Sequence, residues 1–209
     1  MKTARYDEIA RSINTPIYEY YARKIKDDTA FLKGVCLDVG SGGGYLGFAL
    51  ARITELNFIF LDISQKALDL AEAHIAEDGL QHRAKTLLAD VHSIPLADKS
   101  VNLVISRGSM PFWEDHAAAF REAYRILAPG GMACMGTGRG SPKIYADIKE
   151  KMSRLGMKWP ERPWSNDIQG EDKARGHFHK DYDAILKRTG IPAYHVARGD
   201  DGMWIRLWK

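Results

Sequence analysis

The sequence predicts an α/β fold: a doubly wound, mostly parallel sheet of seven strands ending in an antiparallel hairpin. Three observations carry this. Short apolar runs alternate with amphipathic stretches of helical period through most of the chain, as in a parallel sheet covered by helices on both faces. A cluster of glycines joins the first apolar run to the helical stretch after it. Near the C-terminus, Tyr194–Ala197 and Met203–Trp208 are joined through Gly-Asp-Asp-Gly, which favours a tight hairpin.

Residues 7–27 read as helix, with Ile9, Ile13, Ile17, Tyr20, Tyr21 and Ile25 apolar and Pro16 interrupting. Val35–Val39 is a buried strand, followed by a helix over about 45–53 and a second strand at Asn57–Asp62. Ser64 is placed to cap the next helix, and Gly79 lies just past its end. Lys85–Asp90 and Val101–Ser106 are the third and fourth strands. A helix over about 115–127 follows, then a turn at Pro129-Gly130-Gly131, a fifth strand at Met132–Thr137 and a helix over about 142–155. The two hairpin strands complete the sheet.

At 209 residues, with no Pro/Gly/Ser-rich linker, a single domain over 1–209 is expected. It comprises an N-terminal helical segment at 1–30 and an insertion at about 138–178. An apolar content of 45% and a charged content of 27% exclude a disordered tail, a collagen-like chain and a disulfide-stapled miniprotein. Two distant cysteines, Cys36 and Cys134, fit a reducing compartment. No signal-like segment opens the sequence and no long apolar run occurs, so a cytoplasmic protein without membrane association is expected. A net charge of +3 does not by itself imply nucleic acid. No metal site is expected, because the one close pair, His177 and His179, has no accompanying acids.

Five of the eight residues from Gly40 to Gly47 are glycine. A turn needs one or two, so five favour a loop that a ligand approaches at a helix N-terminus. No Gly-Lys-Ser/Thr follows, which excludes a P-loop. Residues 42–47 match Gly-x-Gly-x-x-Gly, yet the acids argue against a dinucleotide. Asp38 just before the loop would repel a pyrophosphate and welcome a cation. Asp62 suits ribose hydroxyls, and Asp90 an exocyclic amine. Ribose, adenine and a cation together describe S-adenosylmethionine.

Asp38-Val-Gly40-Ser41-Gly42-Gly-Gly44 resembles the acid-x-Gly-x-Gly-x-Gly motif of class I S-adenosylmethionine-dependent methyltransferases. Leu61-Asp62-Ile63-Ser64 resembles that family's ribose-binding strand end. The stretch from Ala89-Asp90-Val91-His92 to Ser106 resembles its adenine loop and fourth strand, and Phe120–Gly131 its approach to the fifth strand. The subgroup it is most similar to is the small-molecule branch, methyltransferase type 11, typified by ubiquinone- and menaquinone-biosynthesis enzymes. The resemblance covers about residues 34–137.

It implies a Rossmann-like methyltransferase fold with S-adenosylmethionine as cofactor. The Gly40–Gly44 loop, Ser41 included, would lie against the methionine part, with Asp62 and Ile63 at the ribose. Asp90 and Val91 would meet the adenine with His92 alongside. Ser106 and Arg107 would lie below the reactive methyl group. Asp38 would either organise the loop's own N–H groups or contact the ammonium group. Asn102 stands where the family often has Asp, which reads as a surface detail. Arg107-Gly-Ser-Met-Pro-Phe-Trp113 replaces a more usual aliphatic and histidine-containing segment.

Residues 138–180 hold ten Lys/Arg against six Asp/Glu, a net +4 that leaves the rest of the chain near −1. Long connections in small domains tend to be lids or binding segments. The expected acceptor-binding residues are therefore Trp159 and Trp164 from this segment, Tyr18 and Tyr21 from the N-terminal helix, and Arg107 and Trp113. Arg107 could bind an anionic acceptor or the cofactor's carboxylate, or make a structural ion pair. His116 reads as a packing residue rather than a base. The expected activity is in-line methyl transfer to a small molecule. Its rivals are an RNA or protein methyltransferase and a cofactor-binding regulator without turnover.

Overall fold

A computed structural model describes residues 3–157 and 180–209. Its strands are β1 (Val35–Val39), β2 (Asn57–Asp62), β3 (Ala84–Leu88), β4 (Val101–Arg107), β5 (Leu127–Thr137), β6 (Tyr194–Gly199) and β7 (Gly202–Trp208). They form one seven-stranded sheet in the order β3-β2-β1-β4-β5-β7-β6. β1 to β5 run parallel, while β7 is antiparallel to both β5 and β6. The expected fold class is observed.

Seven described helices surround the sheet: α1 (Thr3–Ser12), α2 (Thr15–Thr29), α3 (Tyr45–Ala51), α4 (Gln65–Glu77), α5 (His116–Ile126), α6 (Pro142–Arg154) and α7 (Tyr182–Lys187). Side chains alternate across a strand, so each strand feeds two cores. Cys36, Phe58, Phe60, Leu103, Ile105 and Cys134 face a cluster completed by Ile17 and Tyr21 of α2, Leu50 of α3 and Ile148 of α6. Leu37, Val39, Leu61, Val104, Ala133 and Met135 face the opposite cluster with Phe120 of α5 and Tyr182 of α7. The same alternation puts Asp38 and Arg107 on the α2/α3 side of the sheet.

Three boundaries differ from expectation. The helix read over 7–27 is two helices, because Pro16 occupies the first turn of α2 rather than kinking a longer one. β3 stops at Leu88, so Asp90 stands in the loop beyond it. The expected turn at Pro129-Gly130-Gly131 lies inside β5: the register passes from Val101↔Leu127 to Leu103↔Met132, leaving the Pro-Gly pair as a bulge. That bulge stays paired because the Gly130 N–H donates to the Lys209 carbonyl at 2.6 Å. α6, expected as part of a cap, buries Ile148 and Met152 in the main core. Among the described residues, no helix is long and apolar enough to cross a membrane.

Candidate functional site

The order of the sheet reverses at β1, which has β2 on one side and β4 on the other. Ligands of doubly wound sheets sit outside the carboxyl ends of the strands at such a point. A cavity of about 460 Å³ opens there, lined by the glycine loop and the segments that leave β2, β3 and β4.

The loop is held from below. Asp38, 2% exposed, accepts the Gly47 N–H at 3.0 Å, so of its two expected roles the organising one is visible. Burial, with a smaller effect from Asp62, pushes its carboxyl up to about 7. Gly40, Gly44 and Gly47 answer to packing. A Cβ on Gly47 would lie 2.4 Å from Phe60 Cε1, and one on Gly40, whose φ is +63°, would lie 2.3 Å from Ser109 Cβ. Gly44 caps α3 and does not line the cavity, whereas Gly40, Ser41 and Gly42 do. From the far side, buried His74 of α4 presents Nδ1 to the Gly43 carbonyl at 2.8 Å and Nε2 to Asp7 of α1 at 3.3 Å. Asp7 also accepts from the Tyr45 hydroxyl at 2.8 Å.

Asp62 joins the loop to α4. One carboxylate oxygen accepts the Gly42 N–H at 2.9 Å and the other the Ser64 N–H at 2.9 Å. Ser64 does occupy the N-cap of α4, but its side chain makes no cap bond. A carboxylate has about four acceptor sites, so Asp62 retains capacity towards the cavity. Ile63 beside it is 73% exposed and lines the opening.

Asp90, Val91 and His92 follow β3 along the same wall. The Asp115 N–H donates to His92 Nε2 at 3.2 Å, so the ring proton lies on Nδ1 and donates to Asp90 at 2.5 Å. The His92 backbone N–H donates to the same oxygen at 2.8 Å. These bonds hold the Asp90 carboxyl below its ordinary range. Arg125 of α5 fixes the rest of this loop by donating to the Ile94 and Leu96 carbonyls.

Near the end of β4, Ser106 is fully buried and does not reach the cavity. It donates to Ser109 Oγ at 2.6 Å, and Ser109 donates onward to the Val39 carbonyl, so Ser109 is the hydroxyl that lines the site. Arg107 lines it too, with its guanidinium 5.0 Å from the Tyr18 ring and 5.6 Å from the Tyr21 ring. Tyr18, Phe112, Trp113 and Glu114 complete this end. Tyr21 is not a lining residue: it donates to the Asp201 carbonyl, accepts the Gly140 N–H at 2.9 Å, and burial pushes its phenol up to about 12. His116 packs among Trp113, Phe120 and Tyr182, and burial with nearby Lys180 pulls it down to about 4. Trp159 and Trp164 lie outside the described residues, as do His177 and His179.

Sequence reasoning missed Ser109, His74, Asp7 and the work of Asn102. Asn102 Oδ1 accepts the Val35 N–H at 2.8 Å and packs beside Gly34, so it joins β4 to the start of β1 rather than decorating the surface.

A doubly wound sheet whose switch-point cavity carries a glycine loop and an acid at or just beyond the carboxyl end of each of the first three strands has the layout of a nucleoside-binding site. The donor set suits an adenosyl ligand with a cationic arm. Asp62 and Asp90 keep acceptor capacity, and a Cβ on Gly42 would meet only Tyr45 at 4.0 Å, so the loop is open on its cavity side.

Comparison with known proteins makes this specific. Residues 37–135 match the family model described as a methyltransferase domain. A protein from Methanococcus maripaludis, described as an S-adenosyl-L-methionine-dependent methyltransferase, has a crystal structure that superposes with a TM-score of 0.84 at 34% identity. That match covers 99% of this chain and 91% of the other. A 2-methyl-6-phytyl-1,4-hydroquinone methyltransferase of Oryza sativa is 30% identical over 47% of this chain and 29% of its own length. A malonyl-[acyl-carrier protein] O-methyltransferase of Yersinia pestis is 34% identical over 49% of this chain and 36% of its own. The chain thus spans about a third of the length of these curated relatives. It belongs to the S-adenosylmethionine-dependent methyltransferase family, and its cofactor is S-adenosylmethionine.

Proposed function

We propose that this chain transfers the methyl group of S-adenosylmethionine to a small molecule seated between α2 and the segment after β4. The observation that carries this is the meeting of two chemistries in one cavity. Its lining combines carboxylates and an open glycine loop with the aromatic surfaces of Tyr18, Phe112 and Trp113 and the guanidinium of Arg107.

Bound S-adenosylmethionine supplies a methyl group already activated for in-line displacement. The protein's task is to position and to exclude water. Asp62 would hold ribose hydroxyls while anchoring the loop and α4. Asp90 would accept from the adenine amine, its orientation set by His92. Asp38, below the loop, would act through its bond to the Gly47 N–H, which fixes the loop against the start of α3. At the acceptor end, Tyr18 and Trp113 present largely buried aromatic surface. Arg107 cannot take up a proton; Glu114, a lining carboxylate next to Trp113, would receive a proton from an acceptor that loses one. His116 is too buried and too weakly basic for that role.

The relatives named above are a hydroquinone methyltransferase and a malonyl-[acyl-carrier protein] O-methyltransferase, which supports a small or carrier-borne acceptor. The test is calorimetry with S-adenosylhomocysteine and with NAD on the wild type and Asp62→Ala, followed by a screen of metabolite extracts with methyl-labelled cofactor. S-adenosylhomocysteine binding that Asp62→Ala weakens, together with label in a small molecule, supports the reading. Binding of NAD alone, or label only in RNA or protein, overturns it.

A further inference from the structure

The segment after β4 brings a negative charge to the cavity that the protein itself does not answer. Glu114 lines the cavity, and among the described residues it has neither an ion pair nor a hydrogen bond. Its neighbour Asp115 is spent on capping α5, where it accepts the Ala118 N–H at 2.9 Å. Arg107, the one Lys or Arg on the described lining, is engaged elsewhere. Its Nη2 donates to the Gly138 carbonyl at 2.6 Å, and its guanidinium lies over the Tyr18 and Tyr21 rings.

The surplus extends to the whole lining. Asp38, Asp62, Asp90 and Glu114 face a single guanidinium, in a chain whose net charge is +3. Asp38 accepts from the Gly47 N–H, Asp62 from the Gly42 and Ser64 N–H groups, and Asp90 from His92. Bound S-adenosylmethionine adds a single net positive charge, from sulfonium and ammonium against carboxylate. Acid is still in excess with the cofactor in place, and Glu114 is the acid without a protein partner.

Aromatic surface stands next to that carboxylate. Phe112 ends a single 3-10 turn, Met110–Phe112, and is 73% exposed. Trp113 is largely buried, its ring braced by Phe120 at 6.0 Å and His116 at 6.1 Å. Both line the cavity, so three consecutive residues supply two π-systems and a carboxylate. Each of these groups attracts a cation. A neutral hydroxyl draws only a hydrogen bond from them, and an anion is repelled.

We propose that the methyl acceptor is an amine, held in its ammonium form by Glu114 and the rings of Phe112 and Trp113. This deepens the methyltransferase reading above, rests on it, and narrows the methylated atom to nitrogen. The ammonium proton passes to the Glu114 carboxylate, which is exposed, and from there to water. The freed lone pair forms the new N–C bond in line as the C–S bond breaks. The electron pair of the broken bond stays on sulfur in S-adenosylhomocysteine, and the methylated nitrogen carries the positive charge that the sulfonium loses.

Calorimetry on the S-adenosylhomocysteine-saturated protein tests this with three probes of similar shape: benzylamine, benzyl alcohol and benzoate. Wild type should bind benzylamine about 3- to 10-fold more tightly than benzyl alcohol, and benzoate least. Glu114→Gln, which keeps the shape and loses the charge, should erase most of that preference and leave S-adenosylhomocysteine affinity unchanged. Phe112→Leu should reduce the preference and Phe112→Tyr should keep it. With methyl-labelled cofactor and a metabolite extract, label should appear on nitrogen. Equal binding of benzylamine and benzyl alcohol by wild type, including binding of neither, overturns the proposal. So does a preference that survives Glu114→Gln, or label on oxygen or carbon alone. Weaker S-adenosylhomocysteine binding by Glu114→Gln also overturns it, because that places the carboxylate at the nucleoside. A wild type that does not bind S-adenosylhomocysteine overturns the cofactor reading instead, and the same three probes on the free protein then decide this one.

Discussion

Gly47→Ala sets two effects of known sign against each other at the base of the site. Gly47 lies inside α3, where alanine is favoured over glycine by about 1 kcal/mol on helix propensity. The added methyl, however, would sit 2.4 Å from Phe60 Cε1 and 3.0 Å from an Asp38 carboxylate oxygen. Phe60 cannot give way easily: it is fully buried, stacked 4.7 Å from Phe48 and 5.9 Å from Phe58. Overpacking a rigid core site costs about 1–3 kcal/mol, so the net change is about 0–2 kcal/mol of destabilisation. For a chain of this length that lowers the melting temperature by up to about 8 °C. The same methyl pushes on Asp38, whose bond to the Gly47 N–H supports the loop, so S-adenosylhomocysteine affinity should fall as well. Thermal melts and calorimetry on Gly47→Ala, Phe60→Leu and the double variant form a cycle. Phe60→Leu removes the clashing ring edge, and the double variant should be less destabilised than the two single changes added together. A Gly47→Ala protein more stable than wild type, or strict additivity in the cycle, would refute the steric argument.

Three further outcomes follow from the same contacts. Burial raises the Asp38 carboxyl from 3.8 to about 7, so between those values the folded state holds a proton that the unfolded chain has released. Stability from this group therefore falls as pH rises through that window, and urea midpoints should drop further from pH 5 to pH 8 in wild type than in Asp38→Asn; equal drops would contradict this. His92→Ala frees both Asp90 and the Asp115 N–H and should weaken S-adenosylhomocysteine several-fold, whereas His92→Asn, whose amide can still donate to Asp90, should recover most of the loss in calorimetry. Asn102→Ala strands the Val35 N–H and should cost about 1–2 kcal/mol in chemical denaturation with nucleoside affinity unchanged; a shift confined to affinity would be incompatible with its joining β1 to β4.

The strands were legible because each carries its own signal. Val35–Val39 and Asn57–Asp62 are apolar runs closed by glycines or an acid, and both boundaries stand as read. Pro129-Gly130 misled because a bulge inside a strand and a turn between elements use the same residues. What distinguishes them is the Lys209 carbonyl, which comes from the far end of the chain. That Asp38, Asp62 and Asp90 come together on one cavity wall was legible from their places at strand ends. Ser106 was mistaken for its neighbour in space: alternation along β4 turns its side chain inward, and Ser109 carries the hydroxyl to the surface. His74, Asp7 and Asn102 could not be read in sequence, since each works through a partner more than thirty residues away.

The tie from Asp7 to Tyr45 and His74 makes the N-terminal helix part of the nucleoside loop's own equilibrium. Docking of α1 and ordering of the Gly40–Gly44 loop share these bonds, so each stabilises the other by the same factor, whichever is perturbed. A ligand that tightens the loop will slow amide exchange in residues 3–12, a helix that does not line the cavity. By the same reciprocity, loosening that helix with Asp7→Ala will lower ligand affinity by the factor the ligand lends to its docking. The start of this chain is thus a built-in reporter of whether the site is filled.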